Sequence, residues 1–398
     1  MNRHGSTAAL PAAGTPAAWG GVFALALGAF VLVSSEFMPV SLLTPVATDL
    51  HVSEGQAGLS IAVSGAFALV TSLFISSLAG ELDRKLLLLA LTLLMIVSAS
   101  IAAFAPNYAS FMIGRAFIGV AIGGFWSMSA ATAMRLVPLD KVPKALAIVN
   151  GGNALATVIA APLGSFLGAM VGWRGAFFCV VPVAVAALAW KLASLPPMPA
   201  GRQQGTGNLF SLLKRPPVAL GMIASSLFFM GQFALFTYLR PFLETVTTLD
   251  AAALSLMLLL VGASGFAGTI LIGSFIKGGR LQRTLVVIPL LMAAVALALI
   301  AGGASTGVTA LLLALWGLLG TSAPVGWWTW VARTLPEDAE AGGGLLVAVV
   351  QLAIAAGATA GGILFDGHGY RATFGASAAI LVVAAGFAQL AARAARSK

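Results

Sequence analysis

The amino-acid sequence predicts an all-α membrane protein of twelve transmembrane helices, arranged as two pseudo-symmetric six-helix bundles. Of its 398 residues, 60% are hydrophobic and only 8% are charged, whereas soluble domains carry about 25% charged residues. Charge-free stretches recur that reach the roughly 20 apolar residues needed to cross a bilayer as a helix. The Lys and Arg residues also collect on one side of these stretches. These observations exclude an ordinary soluble domain.

The positions of the charged residues define the twelve predicted helices. Seven charge-free stretches can each cross the membrane, and the longest can hold two helices with a glycine-rich turn at 302–307 between them. The other four helices are predicted near 20–45, 56–80, 109–133 and 174–193. The charge-free stretches are 86–114, 145–173, 216–239, 251–276, 284–332, 341–365 and 372–392.

The distribution of Lys and Arg predicts the orientation. If the N-terminus is cytoplasmic, seventeen of the 21 basic residues, Lys191 among them, fall on the cytoplasmic side. Three fall outside (Arg174, Arg240 and Arg371), and Arg115 lies within a helix. Cytoplasmic loops are enriched in Lys and Arg, so we expect both termini in the cytoplasm and a multi-pass protein of the bacterial inner membrane. The net charge of +9 then marks loops and not a nucleic-acid-binding surface.

The longest polar break divides the chain into halves. Residues 194–216 are rich in Pro, Gly and Gln, which suits a flexible cytoplasmic linker, and six helices lie on either side. The predicted organisation is a disordered tail, an N-terminal bundle, the linker, a C-terminal bundle and a second tail: 1–18, 19–193, 194–216, 217–393 and 394–398.

The two halves share a sequence pattern. Glu36 is followed nine residues later by Pro45, and Gln232 is followed nine residues later by Pro241. We therefore expect a duplicated six-helix unit. Halves that face each other around a midplane site are a common plan for secondary transporters.

Two charged residues lie inside predicted helices. Glu36 sits in an apolar stretch, whereas the other acidic residues fall in or near predicted loops. A carboxyl group inside a membrane is costly and usually marks a transport site, so Glu36 is the candidate proton carrier. The alternative is a protonated acid that only hydrogen-bonds Ser34, Ser35 or a neighbouring helix. Arg115 is the second candidate for proton coupling, and its alternative is snorkelling to the outer interface.

Embedded amides and aromatic residues are the candidates for substrate binding. Buried amides need partners, which a polar solute or a neighbouring helix could provide. Aromatic rings could stack on a purine, although Trp residues also anchor helices at bilayer interfaces. The predicted substrate-binding residues are Trp126, Asn150, Asn153, Gln232, Phe233, Phe236, Trp327 and Gln351.

Several stretches carry a resemblance to a known family. The chain resembles the major facilitator superfamily, in its twelve-helix drug/proton antiporter type, and is similar to bacterial purine ribonucleoside efflux pumps and their sugar-efflux relatives. The resemblance extends over nearly the whole chain. It rests on residues 36–45, 114–130, 134–138, 161–168, 231–234 and 324–327.

The resemblance implies roles for further residues. It implies that Arg115 faces the central cavity and influences protonation nearby. Asp83 and Arg84 keep the core of the family's loop motif and would latch the two halves, although an ordinary charged loop would look the same. Pro162 and Gly164 lie in the antiporter motif of the fifth helix, where this chain has Ala161 in place of the family's glycine. They are expected to bend that helix and give it a flexible packing face.

We therefore expect a proton-coupled efflux antiporter that works by alternating access. Its partners would be protons, the lipid bilayer and a small polar solute, with purine ribonucleosides such as inosine as the first expectation and sugars or drugs as alternatives. A passive facilitator or a non-transporting membrane receptor is the alternative class. The sequence has neither a phosphate-binding loop nor a nucleophile–histidine pair, and it has one cysteine, Cys179. We expect no enzyme activity, cofactor, metal or nucleic-acid partner, and a monomer.

Overall fold

The computed structural model describes residues 17–79, 82–199, 209–277, 280–335 and 338–396. Within these ranges the regular structure is helical. Short 3₁₀ turns occur at Leu139–Lys141 and Leu209–Lys214. The α-helices are α1 (Trp19–Ser41), α2 (Leu43–Asp49), α3 (Glu54–Ala79), α4 (Arg84–Ala103), α5 (Tyr108–Leu136), α6 (Val142–Ser194), α7 (Pro216–Phe236), α8 (Leu239–Thr245), α9 (Ala251–Phe275), α10 (Leu281–Gly302), α11 (Thr306–Thr334) and α12 (Ala339–Arg396).

Two of these helices each hold two membrane crossings. The backbone leaves the helical region within α6 at Gly172 (φ 75°) and within α12 at Gly369 (φ 73°). This left-handed conformation favours glycine, which lacks a Cβ. Within the described residues ten helices are long and apolar enough to span a bilayer, and α6 and α12 are among them. Counting both arms of α6 and α12 gives the predicted twelve crossings, so the predicted fold class is confirmed.

Several helices begin at a capping side chain. Asp83 accepts a hydrogen bond from the Lys85 amide at the start of α4, and Asp250 accepts one from the Ala253 amide at the start of α9. Asn107 forms a reciprocal capping box at the start of α5. Such side chains satisfy amide groups that have no partner within the helix.

The pseudo-symmetry is visible in equivalent contacts of the two halves. The short helices α2 and α8 have seven residues each and follow α1 and α7 directly. A Cβ on Gly164 of α6 would lie 3.4 Å from the side chain of Met38 on α1. A Cβ on Gly361 of α12 would lie 2.6 Å from the backbone of Ala234 on α7. The same close packing thus recurs in both halves.

Side-chain hydrogen bonds join the halves at one end of the bundle, here named the closed end. The Asp366 carboxylate, on α12, accepts hydrogen bonds from the Ser53 hydroxyl and from the Gly55 amide (2.9 Å) at the start of α3. The Arg240 guanidinium, on α8, donates to the carbonyl of Ser41 at the end of α1. Among residues that the structure describes, the hydrogen bonds between halves all lie at this end, opposite the chain termini.

Lys191 is not the loop residue that its charge predicts. Its side chain is fully buried in α6, where Nζ donates to Thr92 Oγ1 at 2.8 Å and lies 5.2 Å from the centre of the Phe125 ring. Gly28 makes the space, because a Cβ there would lie 2.5 Å from Nζ. The prediction that Lys191 marks a cytoplasmic loop is therefore wrong.

Candidate functional site

Glu36 lies inside the N-terminal half, where its side chain is only 5% exposed. It stands seventeen residues after the start of α1 and thirteen residues before the end of α2, which is near the middle of the crossing. The hydroxyls of Ser34 and Ser35 make no hydrogen bond to this carboxyl group, and Ser34 Oγ has no partner in the described structure. The nearby serines therefore do not account for the buried acid.

Arg115 binds the backbone of α1 beside Glu36. Its Nη1 donates to the carbonyl of Ser35 at 2.8 Å, and its Nη2 donates to the carbonyl of Glu36 at 3.0 Å. Pro39 explains the first contact, because proline has no amide hydrogen and leaves the carbonyl four residues earlier without its helical donor. That carbonyl belongs to Ser35. The guanidinium thus replaces a backbone hydrogen bond that the sequence of α1 cannot make.

The same guanidinium also binds α3. Its Nε donates to the carbonyl of Ser60 at 3.2 Å, and its Nη2 donates to Ser64 Oγ at 3.2 Å. Arg115 is 1% exposed and therefore does not snorkel to the interface. In the described structure it forms no ion pair with the Glu36 carboxylate within 4 Å, although its positive charge acts on that group electrostatically. Arg115 therefore ties α1, α3 and α5 together around the proton-carrier candidate.

Gln351 reaches Glu36 from the C-terminal half. It lies on α12, it is 8% exposed, and its side-chain amide lies close to the Glu36 carboxyl group. Its Oε1 atom is buried and has no partner in the described residues. The candidate proton site is therefore shared between the two halves.

Phenylalanine rings line the junction beside this site. Phe37 of α1 stacks on Phe233 of α7, with ring centres 5.7 Å apart and planes inclined by 26°. Phe233 also meets Phe236 edge-on at 6.0 Å. The predicted aromatic residues Phe233 and Phe236 are thus brought together with the residue that follows Glu36.

The C-terminal half holds the neutral counterpart of the charged site. Gln232 corresponds to Glu36 in the repeat, and its amide packs against Gly320 of α11 while its Oε1 has no partner in the described structure. Arg115 is the eighth residue of α5, and the eighth residue of the equally long α11 is the buried Leu313. A Cβ on Gly317 of α11 would lie only 2.2 Å from the Val261 carbonyl oxygen of α9, much as one on Gly119 of α5 would lie 2.3 Å from the Ser64 carbonyl oxygen of α3. The positions of the C-terminal half that correspond to Glu36 and Arg115 therefore carry no charge.

The remaining predicted binding residues lie farther from this junction. Trp327 is 2% exposed and packs edge-on against Trp330 in the core of the C-terminal half. Trp126 is half-buried and meets Phe125 edge-on at 5.5 Å. Asn150 is exposed and donates to the carbonyl of Leu146 in its own helix, and Asn153 is half-buried. The structure does not bring these four predicted residues into contact with Glu36.

The residues expected to govern conformational change have local partners. Asp83 caps α4 and also accepts a hydrogen bond from the amide of Met198 (2.8 Å), while the Arg84 amide donates to the Met198 carbonyl. The start of the predicted linker is thus held on the N-terminal half. Pro162 is buried in a stretch of α6 that stays helical, and the non-helical backbone of α6 is at Gly172. A Cβ on Gly164 would lie 2.5 Å from Ser41 Oγ, so this glycine allows close packing on α1.

Sequence reasoning missed the residues that complete the site. Ser60 and Ser64 are ordinary helix residues in the sequence, and the sequence does not show that Pro39 and Arg115 act at the same carbonyl. The spacing of Ser35 and Pro39 was a usable signal, because a proline inside a helix always leaves one carbonyl to be satisfied. The contacts of Asp366 and Arg240 between the halves join residues far apart in the chain.

Comparison with known proteins identifies relatives of the whole chain. Residues 25–346 match the sequence model described as Major Facilitator Superfamily. A Pseudomonas aeruginosa protein named "Transcription regulatory protein OpdE" is 64% identical over 379 residues, which is 94% of each chain. The Salmonella paratyphi B protein named "Purine ribonucleoside efflux pump NepI" is 42% identical over 367 residues, which is 92% of each chain.

The fold is shared with solved transporter structures. One is the crystal structure of a bacterial homolog of the human lysosomal transporter Spinster in an inward-facing and unoccupied conformation. It superposes with a TM-score of 0.76, covers 96% of this chain and 98% of its own, and is 16% identical in sequence. At this identity the likeness concerns the fold.

Proposed function

Because the chain belongs to the Major Facilitator Superfamily, whose sequence model covers residues 25–346, we propose that it is a proton-coupled antiporter. It exports purine ribonucleosides such as inosine across the bacterial inner membrane. The observation that carries the proposal is the Glu36 carboxyl group, which is buried in the N-terminal half and approached by Gln351 of the C-terminal half. A membrane-embedded carboxyl group at such a junction is suited to load and release a proton.

Alternating access follows from the contacts between the halves. If both termini lie in the cytoplasm, the closed end faces the outside, as an inward-facing form requires. Opening requires the bonds of Asp366 and Arg240 at the closed end to break. A proton that reaches Glu36 from outside and a solute that binds from inside then compete for the same junction, which yields exchange of one for the other.

The choice of substrate rests on the relatives and on the side chains at the junction. The name of the 42% identical relative states purine ribonucleoside efflux. Phe37 and Phe233 offer ring faces beside Glu36, and stacking of a base on an aromatic ring is worth about 1–3 kcal/mol. The unpartnered amide oxygens of Gln232 and Gln351 can accept hydrogen bonds from base or sugar donors. Sugars and amphipathic drugs are the alternative solutes.

The test is inosine counterflow in proteoliposomes, with and without an imposed pH gradient. We expect the wild-type protein to exchange inosine and to be stimulated by the gradient, and we expect Glu36→Gln to lose the stimulation. The matched control is Asp140→Asn, which removes an exposed carboxylate in the turn after α5. Gradient-stimulated transport that persists in Glu36→Gln contradicts the coupling, and exchange without stimulation in the wild type indicates a passive facilitator.

A second candidate function is regulation without transport. The name of the 64% identical relative is that of a transcription regulatory protein, which favours a non-transporting receptor over a passive facilitator. A membrane receptor of this kind would bind its ligand without moving it. Inosine binding without counterflow, in a preparation with a normal unfolding transition, would support the receptor over the antiporter.

A further inference from the structure

Gln351 brings a side-chain amide of the C-terminal half close to the candidate proton carrier. It is buried, and this amide lies beside the Glu36 carboxyl group. The backbone next to it is closely packed, since a Cβ on Gly65 of α3 would lie 3.0 Å from the Gln351 carbonyl oxygen. The main chain at Gln351 is therefore held in place, while the terminal amide can rotate about its last side-chain bond.

The NH₂ group and the Oε1 atom of this amide have different surroundings. The NH₂ group can donate to a Glu36 carboxylate, whereas Oε1 is buried and has no partner in the described part of the chain. A buried carbonyl oxygen without a partner is unfavourable, so native structures rarely keep one without a reason. A donor group on a bound solute is a partner that the isolated protein lacks.

The proton on Glu36 decides which end of the amide faces it. An ionised carboxylate only accepts hydrogen bonds, so it binds the amide NH₂ group. A protonated carboxyl group has an O–H donor, which can bind Oε1 after the amide rotates by about 180°. One end therefore faces Glu36 and the other faces the junction, and protonation can exchange them.

Other charged or titratable groups near this amide are few. Arg115 of α5 is occupied by the backbones of α1 and α3. The helices packed along α12 carry such groups near their ends, as does α12 itself. These groups are Glu54 of α3, Lys214 of the 3₁₀ turn before α7, Tyr238 after α7, Arg283 of α10, Arg333 of α11, and Asp366, His368, Tyr370, Arg371 and Arg393 of α12.

We infer that Gln351 couples the proton to the solute by reversing its side-chain amide. With Glu36 ionised, the amide presents Oε1 to the junction and binds a solute through an N–H or O–H donor. With Glu36 protonated, the amide presents its NH₂ group, which opposes the same donor, and the solute is released. The inference rests on the proposed antiport and adds the residue that makes proton and solute exclude each other. It also assigns a hydrogen-bond donor as the feature of the solute that is recognised.

The first test combines one substitution with four inosine analogues. Gln351→Met keeps the length of the side chain and removes both amide groups. The analogues 1-methylinosine, 2′-deoxyinosine, 3′-deoxyinosine and 5′-deoxyinosine each lack one donor. We expect one analogue to compete about tenfold less well than inosine in wild-type counterflow, which corresponds to one lost hydrogen bond. In Gln351→Met that analogue and inosine should compete equally, because the two losses concern the same bond.

The second test measures protons released when inosine binds to purified protein in weakly buffered detergent solution. Wild type should release protons on binding, and Gln351→Met should release clearly fewer per bound inosine. The control Thr359→Val removes a hydroxyl of α12 that bonds only its own helix, at the Ala355 carbonyl, and should release as many as wild type. If Gln351→Met does not fold, Gln351→Asn replaces it, since the shorter amide cannot reach both partners.

The outcomes separate this inference from the proposed function. If the wild-type protein neither exchanges inosine nor releases protons, the proposed antiport fails. If wild type does both, but Gln351→Met releases as many protons and still discriminates every analogue as wild type does, then Gln351 only packs, and the inference is overturned.

Discussion

Arg115 donates a 2.8 Å hydrogen bond to the carbonyl of Ser35, the carbonyl that Pro39 leaves without a helical donor. A charged side chain of α5 thereby completes the backbone of α1 one residue before Glu36. In a membrane a backbone group without a partner is especially costly, because lipid provides no hydrogen bonds. The proline and the arginine are thus two parts of one arrangement that holds the candidate proton carrier in place.

The first prediction concerns this arrangement. Arg115→Gln should lower the thermal unfolding temperature in detergent, because a buried acceptor without a partner is unfavourable by about 1–3 kcal/mol. Pro39→Ala returns an amide hydrogen to the Ser35 carbonyl. The double variant should therefore be less destabilised than the sum of the single variants, as measured in a double-mutant cycle. Additive losses would show that Pro39 and Arg115 act independently.

The second prediction concerns the closed end. Asp366→Ala removes the acceptor for Ser53 and Gly55 and should increase the fraction of molecules open at that end. With the exposed Cys179 replaced by Ser, a cysteine introduced at Phe37, which lies at the junction of the halves, should react severalfold faster with an impermeant maleimide added outside. The control Glu54→Gln removes a neighbouring charge and should leave the rate unchanged. An unchanged rate in Asp366→Ala would mean that these bonds do not hold the end closed.

The third prediction concerns the buried lysine. Gly28→Ala should destabilise the protein, because the new Cβ would lie 2.5 Å from Lys191 Nζ. Lys191→Ala in the same chain removes the clash and should recover part of the loss. Lys191→Met alone should change the unfolding temperature little or raise it, because it replaces a buried charge by an apolar side chain of similar length. A strong loss of stability in Lys191→Met would point to a required contact of the ammonium group.

The fourth prediction concerns the stacked phenylalanines. Phe233→Ala should raise the inosine concentration for half-maximal counterflow about tenfold, because it removes a ring that can stack on the base. Phe233→Tyr keeps the ring face and should stay close to wild type. An equal loss with a sugar substrate would indicate that Phe233 supports the junction of the halves and not the base.

The sequence alone determined the membrane class, the number of crossings and the position of the embedded acid. Twelve apolar stretches require helices because a bilayer satisfies backbone groups only within regular structure. Glu36 and Arg115 stood out because charge inside such stretches is rare. These are local properties of the chain, so they can be predicted directly from the order of its residues.

Only the tertiary structure decided which residues meet. Lys191 is a loop charge by its position in the sequence, but α1, α4 and α5 enclose it because Gly28 leaves space for its ammonium group. The approach of Gln351 to Glu36 and the hydrogen bond between Asp366 and Gly55 join residues more than 300 positions apart. Such contacts depend on how the two halves pack. The apolar stretches resemble one another in sequence, so the sequence could not predict which faces of these helices lie close together.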